Sequence, residues 1–415
     1  MYKNKVLLLV LSAFLSLQFV ASQNNINSPY TRFGYGDISE ATPGENRAMG
    51  GVALGSRSKG SINTVNPASY STVDSMSFKF DIGTSVLSSR FSDLNKSAKT
   101  FNANLEYITM MFPLGKGFGF SAGLLPYSFA GYNMYGTDSI IGAGNEVNYL
   151  AKGYKGDGGF SQVYTGLSYK FLKHFSLGLN AYYLYGSVNN EKSLRIFGLS
   201  DSTREINSIK ANNFRLRYGF QYFNTFNKKH DVTLGLVYEQ KTKLSGNNSI
   251  IKEGVIADTT NIVGAYELPV MFGIGVNYCY NQKLTVALDY TLQKWGDAKF
   301  SGNVGELKDK SKVALGLEYV PNQFGRKFSD RIHYRAGSNY SNAYYNVPGT
   351  IQPKNYGLTF GLGLPLYNKF TNTVSMFNAS FEYGKIGSRT NLREDYFKFT
   401  LNVVFNEHWF FKRKL

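Results

Sequence analysis

The residue types that most often do chemistry are thin on the ground in this sequence. Its four histidines, His174, His230, His333 and His408, and its single cysteine, Cys279, fall far apart and make no metal-ligand spacing. A surface lipase or protease would need a Ser/His pair in the loops or beside lipid. Three of the four histidines instead sit in or next to short turns or the C-terminal tail. Cys279 has no partner for an internal disulfide and reads as a small interior residue. The expectation is a protein that is not an enzyme and needs no cofactor or metal. Charges inside apolar runs are more telling. Arg215, Arg217, His333, Arg335 and Lys398 recur there, as do Glu239, Asp289, Glu318 and Glu382. Such cations attract a carboxylate head group, or pair with those acids as a structural lattice, because charges withdrawn from water are normally paired. The sequence leaves both readings open.

The elements that carry these charges alternate with a period of two, which is a strand signature. In Tyr396–Phe405, Phe397, Phe399, Leu401, Val403 and Phe405 share one face, opposite Lys398, Thr400 and Asn402. Phe214, Leu216, Tyr218 and Phe220 oppose Arg215, Arg217 and Gln221 in the same way. Val232, Leu234, Leu236 and Tyr238 oppose Thr233, Gly235 and Glu239; similar sets run through Leu284–Tyr290 and Val313–Tyr319. The stretches Leu105–Phe112 and Val163–Phe171 alternate less cleanly. A soluble barrel would have to crowd all these Phe, Tyr and Leu side chains into its lumen. A bilayer demands the inverse, with apolar residues outside and charges inside, and a midplane Arg or Lys facing lipid would cost about 2–4 kcal/mol.

Short turns fall at Leu114–Phe118, Phe171–Phe175, Phe226–Asp231, Asn281–Leu284 and Leu366–Asn372, with Pro321–Arg331 a longer member of the set. Polar stretches near 90–100, 136–158, 187–210, 241–260, 295–310, 339–353 and 385–394 read as long loops. Thirteen connections imply about fourteen antiparallel strands, residues 76–415, in an all-β transmembrane barrel. An even count returns both barrel ends to the periplasmic side. The Gly-rich string Gly115–Gly119 is one of these turns and not a phosphate loop.

Composition agrees with a secreted barrel. The 415 residues include 31 Tyr, 32 Phe and 43 Gly against 10 Pro. Tyr and Phe at strand ends form belts at membrane interfaces. Lys3 and Lys5, then Val6–Val20, then Val20-Ala21-Ser22, read as a signal peptide over residues 1–22. The net charge of +17 falls by two when it is removed. The basic residues are scattered, which points to lipid phosphates and lipopolysaccharide as partners and away from nucleic acid. The expected location is a Gram-negative outer membrane with both termini periplasmic and the chain a monomer. The aromatic tail with Trp409, Phe410 and Phe411 would then rest at the inner interface.

Residues 23–75 do not alternate, and a long irregular segment beside a wide polar lumen reads as a plug. Within it lie Arg47-Ala48-Met49-Gly50-Gly51 and Asn66-Pro67-Ala68. Pro67 fixes its own φ, Asn66 can bond nearby amides, and Gly50 and Gly51 permit positive φ or close approach. The motif either anchors the plug or gates a passage. RAMGG followed by NPA, behind a signal and ahead of the strands, resembles the N-terminal hatch of the FadL-type outer-membrane transport proteins, channels for long-chain fatty acids and aromatic hydrocarbons. The resemblance implies passive uptake of a hydrophobic small molecule. It also implies lateral release into the bilayer at a kink in the third strand, here Gly117–Tyr135, near Pro126 and Gly131, since Pro in a strand marks an edge or bulge. Tyr266, Leu268, Met271, Tyr344 and Tyr345 are candidates for an outer capture site. Some relatives of the fold resemble scaffolds or shuttles for secreted and surface proteins, and the hatch motif does not separate that alternative from transport.

Overall fold

The computed structural model describes residues 26–40, 42–141, 147–197, 202–246, 248–253, 257–262, 264–347, 351–368, 371 and 373–408. The signal segment and the aromatic tail with Trp409, Phe410 and Phe411 lie outside the described residues. Fourteen strands close into an antiparallel barrel. The first six are long: β1 (Ser77–Ser92), β2 (Ser97–Gly115), β3 (Phe118–Ile141), β4 (Val147–Phe171), β5 (Phe175–Ile196) and β6 (Ser202–Phe226). The next five have ten residues each: β7 (His230–Glu239), β8 (Met271–Tyr280), β9 (Leu284–Gln293), β10 (Lys310–Tyr319) and β11 (His333–Asn342). β12 (Lys354–Asn368), β13 (Thr373–Ser388) and β14 (Leu392–His408) complete the ring, and β14 pairs β1 from Arg393–Ser92 to His408–Ser77.

The greasy face is the outer face. Phe397 is 63% exposed and Leu236 47%, whereas Thr400, Asn402 and Gln221 are buried inside. Tight turns at Leu172-Lys173, Asn227-Lys228 and Asn281-Gln282 use paired positive φ values, the backbone twist that two-residue hairpins favour. The unclear alternation near Leu105 has a local cause. A register shift opposite Gly83/Thr84 inserts Glu106 as an extra residue and turns its carboxylate into the lumen.

Several of the stretches read as loops are largely strand, 90–100 and 385–394 among them. Most of 136–158 belongs to β3 and β4, and most of 187–210 to β5 and β6. A hairpin, Asn248–Glu253 with Asp258–Ile262, pairs onto β6 within 241–260. These segments meet water on both faces, so the apolar/polar alternation that marks a half-buried strand is missing. β3 to β6 have 24, 25, 22 and 25 residues, where a bilayer needs about 9–11. They therefore form a tall wall on the long-loop side, and β7 to β11 form a low one.

Residues 26–40 and 42–76 run down the lumen. Ser28 meets β3 and β14 in their long-loop halves, through Gly131 and Glu394. A two-residue strand, Asp37–Ile38, pairs with β3 midway. A 3-10 turn, Pro67–Thr72, lies near the short-turn end, from which β1 begins.

Candidate functional site

The hatch is seated by close backbone approach. Gly50 and Gly51 both have positive φ, +69° and +84°. A methyl group on Gly50 would meet Ser338 O at 2.5 Å and Leu315 O at 2.7 Å; one on Gly51 would meet side-chain ends, the Lys312 ammonium at 3.0 Å and the Glu40 carboxylate at 3.5 Å. On the wall side, a methyl on Gly316 would strike Met49 O at 2.7 Å, and one on Gly361 would strike Ala48 Cβ at 2.5 Å. Gly337, Gly275, Gly235, Gly219 and Gly178 face the hatch in the same way. These glycines stand at paired positions on neighbouring strands, Gly316 with Gly337, Gly275 with Gly235 and Gly178 with Gly219. They make a smooth track on which the hatch rests.

Side chains then pin it. Gly50 N–H donates to Thr359 Oγ1 at 2.8 Å, and that hydroxyl donates to Ala48 O at 3.0 Å. Met49 packs with Val52, Ala287 and Ala314. The Asn66 side chain accepts from Ala68 N–H at 3.1 Å, capping the turn that Pro67 starts, and donates to Leu54 O at 2.8 Å. Ser176 of β5 donates to Ala68 O at 2.7 Å. The motif therefore ties hatch to wall at both of its ends.

The inward charges are paired. Arg215 and Arg217 both hold Glu239, the first at 2.5 Å. Arg335 bonds Glu318 at 2.5 Å and reaches hatch Glu45 at 3.6 Å, and His333 faces the same Glu318 at 3.2 Å. Lys398 and hatch Arg47 converge on Glu106 at 2.6 Å and 2.8 Å. Glu382 accepts from Tyr396 OH at 3.0 Å. Asp289 takes hatch amides, Ala53 N–H at 2.6 Å and Leu54 N–H at 2.7 Å. Lys312 pairs with hatch Glu40. Loss of bulk water pushes the Glu40 carboxyl up, but the Lys312 and Lys310 ammonium groups outweigh it and hold it at about 2. Glu40, Glu45 and Glu106 escaped the sequence reading because hatch residues follow no period and Glu106 sits at a bulge.

The wall is interrupted at its third strand. The β2–β3 ladder runs only from Gly115–Phe118 to Ile108–Leu124. Pro126 comes next, half-buried, and a bulge at Pro126/Ser128 throws Tyr127 inward. Above it the hatch stands in for β2: Asp37 and Ile38 pair with Phe129 and Ser128, Ser39 N–H donates to Tyr127 O at 2.9 Å, and Ser28 N–H to Gly131 O at 2.9 Å. Thr31 Oγ1 also bonds Gly131, at 3.0 Å. On its far side the segment reaches β14, where Ser28 Oγ donates to Glu394 at 2.7 Å. Two cavities flank it and share Ile38, Ser39, Glu40, Lys310 and Lys312. One, of about 120 Å³, is lined by Leu54, Leu268, Met271 and Tyr127 as well as Arg215 and Arg217. The other, of about 180 Å³, opens toward Leu87, Asn104 and Phe129 at the interrupted ladder.

The capture-site candidates form a closed lid. Tyr266, Leu268, Tyr344 and Tyr345 join Tyr30, Tyr35, Phe160 and Trp295 in one buried cluster; Met271 lies beneath, against Leu54. The Trp295 ring is 4.6 Å from Tyr344 and 5.6 Å from Tyr35, centroid to centroid.

The architecture matches known channels. The Ralstonia pickettii toluene transporter TbuX superposes with a TM-score of 0.60 at 14% identity, over 88% of this chain and 97% of that one. The monoaromatic hydrocarbon channel CymD gives 0.57 at 14%, over 91% and 99%. A Pseudomonas aeruginosa FadL homologue gives 0.58 at 13%, over 90% and 99%. At these identities the likeness is one of fold, that of an outer-membrane β-barrel of the FadL type. No curated protein matches the sequence. The sequence does match the family model described as BamG over residues 1–415, so the chain belongs to the BamG family and carries a FadL-like fold.

Proposed function

We propose that the protein is an outer-membrane channel for passive uptake of hydrophobic small molecules, from monoaromatic hydrocarbons to long-chain fatty acids. Its exit would lie sideways through the wall at Pro126–Gly131. The observation that carries this reading is the interrupted β2–β3 ladder, covered among the described residues by the Ser28–Ser39 segment and next to a cavity beside Phe129. Movement of that short segment alone would join the cavity to the bilayer. The low part of the hatch, held on its glycine track, would keep the route to the periplasm shut. The basic exterior would meet lipid phosphates and lipopolysaccharide, and the barrel would work as a monomer.

The test fixes the segment. In a Cys279→Ser background, Thr31→Cys with Gly131→Cys is oxidised in proteoliposomes, and entry of labelled toluene and of a labelled fatty acid is followed. The locked protein should lose uptake and regain it on reduction. Equal uptake by locked and reduced protein sinks the lateral route. A second reading, a scaffold or shuttle for secreted and surface proteins, is favoured by one observation: the aromatic lid is sealed, with Trp295 and Tyr266 wholly buried. A protein that takes up neither ligand in any state would leave that reading standing.

A further inference from the structure

The open edge of β3 does not end at the hatch. Above Gly131 the strand continues from Tyr132 to Ile141 with β4 on one side, Tyr132 opposite Gly156 and Ile141 opposite Val147. Among the described residues nothing pairs its other side. The direction of its backbone groups follows from the hatch contacts. Tyr127 O and Gly131 O both accept bonds from the hatch side, and no register shift follows Ser128. Alternation then points the N–H and C=O of Asn133, Tyr135, Thr137, Ser139 and Ile141 outward.

This edge lacks the devices that keep sheet edges from pairing. Residues 132–141 contain no Lys, Arg or Pro. Their one charge, Asp138, is tied to Lys152 at 2.5 Å. Tyr135 is 80% and Ile141 75% exposed. At about 3.3 Å per residue the edge runs roughly 30 Å beyond the hatch contact, on the long-loop side, which faces outward from the cell in this architecture. The same edge already accepts one added strand directly below, Asp37–Ile38.

We propose that Tyr132–Ile141 is a docking edge, onto which an extended segment of a different cell-surface polypeptide adds as a further strand. Backbone bonds give such an addition its affinity, and alternate side chains its selectivity. Apart from Asp138, whose charge Lys152 already matches, the side chains of the edge are uncharged, so the fitting segment is a near-neutral run of β-branched and aromatic residues. A second copy of this chain does not fit. Two copies in one membrane are related by an axis along its normal, and strands tilted by about 35–45° would then cross at roughly 70–90°, too steeply to form a ladder. This proposal stands apart from the passage of small molecules, because the edge lies above the lid and the cavities.

The experiment uses the full barrel in detergent and a fluorescent, end-capped octapeptide of alternating Thr and Val. Tyr135→Pro and Thr137→Pro each remove one outward donor and spare the β4 ladder, which uses the even residues. Heat-modifiable migration on gels confirms that each variant keeps its barrel. The parent should bind the peptide, and deuterium uptake across 133–141 should slow when it does. Each proline should weaken binding about tenfold or more, and a peptide N-methylated at alternate residues should not bind. The proposal is overturned by equal binding to the parent and both proline variants, by N-methylated peptide that binds as well as the parent peptide, or by no binding. Edge amides already protected without peptide, or a dimer that Thr137→Pro dissolves, would overturn it as well.

Discussion

Gly50→Ala should loosen the hatch without harming the barrel, and Gly51→Ala should not. Both residues have positive φ, so each alanine carries a conformational cost of about 1–2 kcal/mol. Only Gly50 faces fixed backbone: its new methyl would sit 2.5 Å from Ser338 O and 2.7 Å from Leu315 O. Relief requires the hatch to back off the wall, an overpacking cost of about 1–3 kcal/mol. Backing off also stretches the 2.8 Å bond from Gly50 N–H to Thr359, worth about 0.5–1.5 kcal/mol. The difference between the two variants is therefore about 2–4 kcal/mol, because the 3.0 Å contact at Gly51 is with a side-chain end that needs to give by only a few tenths of an ångström, within its ion pair to Glu40. Hydrogen exchange of peptides covering residues 42–57 reads this directly as local opening. Gly50→Ala should exchange roughly 30- to 1000-fold faster than Gly51→Ala at equal barrel stability. Equal exchange in the two variants would show that the hatch is not seated by contact at Gly50.

Other consequences of the lumen geometry are open to measurement. Glu239→Gln strips Arg215 and Arg217 of their shared carboxylate inside the barrel, and should cost about 3–5 kcal/mol, read as a lower midpoint for heat-modified migration. Asp289→Ala removes the acceptor of two hatch amides and should cost about 3 kcal/mol, read as faster exchange confined to residues near Ala53 and Leu54. Trp295→Ala empties the centre of the lid, at about 3–5 kcal/mol, and should let small aromatic dyes reach the lumen from the loop side; an unchanged lid would show that Tyr35 and Tyr344 close it alone.

Much of this fold could be read from alternation alone, because a membrane barrel repeats one physical rule in every strand. Leu236 and Phe397 face out and Arg217 and Lys398 face in for the same reason, and the strand count followed from the turns. The rule fails where its cause is absent. The upper halves of β3 to β6 meet water on both sides, so Ser139, Asn190 and Ser208 look like loop residues. The hatch obeys no period, so Glu40, Glu45 and the strand Asp37–Ile38 carry no local signal, and their partners on the wall, Lys312, Arg335, Phe129 and Ser128, lie far off in the sequence. The wall glycines did leave a trace. Gly235, Gly275 and Gly316 occupy the small inward positions of otherwise bulky strands, and a glycine at an inward position marks close approach by another backbone.

Residues Leu124–Ile141 of β3 are where the parts of the molecule meet. A closed barrel has no edges, and closure is what lets strands cross a membrane at all. This barrel closes but breaks off one ladder part-way, between β2 and β3, and the loss is tolerable only if other groups satisfy the released backbone. Between Tyr127 and Gly131 the hatch does so, through Ser28, Thr31 and Ser39. Above Gly131 water can do so, because the strand has left the apolar band. The two stretches thus differ in what opening them would entail. Releasing the lower one exposes amides to lipid unless a passing molecule or a displaced hatch covers them, so it should open briefly and seldom. The upper one has no backbone partner among the described residues and can be satisfied by water at no such cost. On the two proposals, one strand, covered by the hatch from Tyr127 to Gly131 and bare above it, would serve small molecules and a polypeptide partner at different heights.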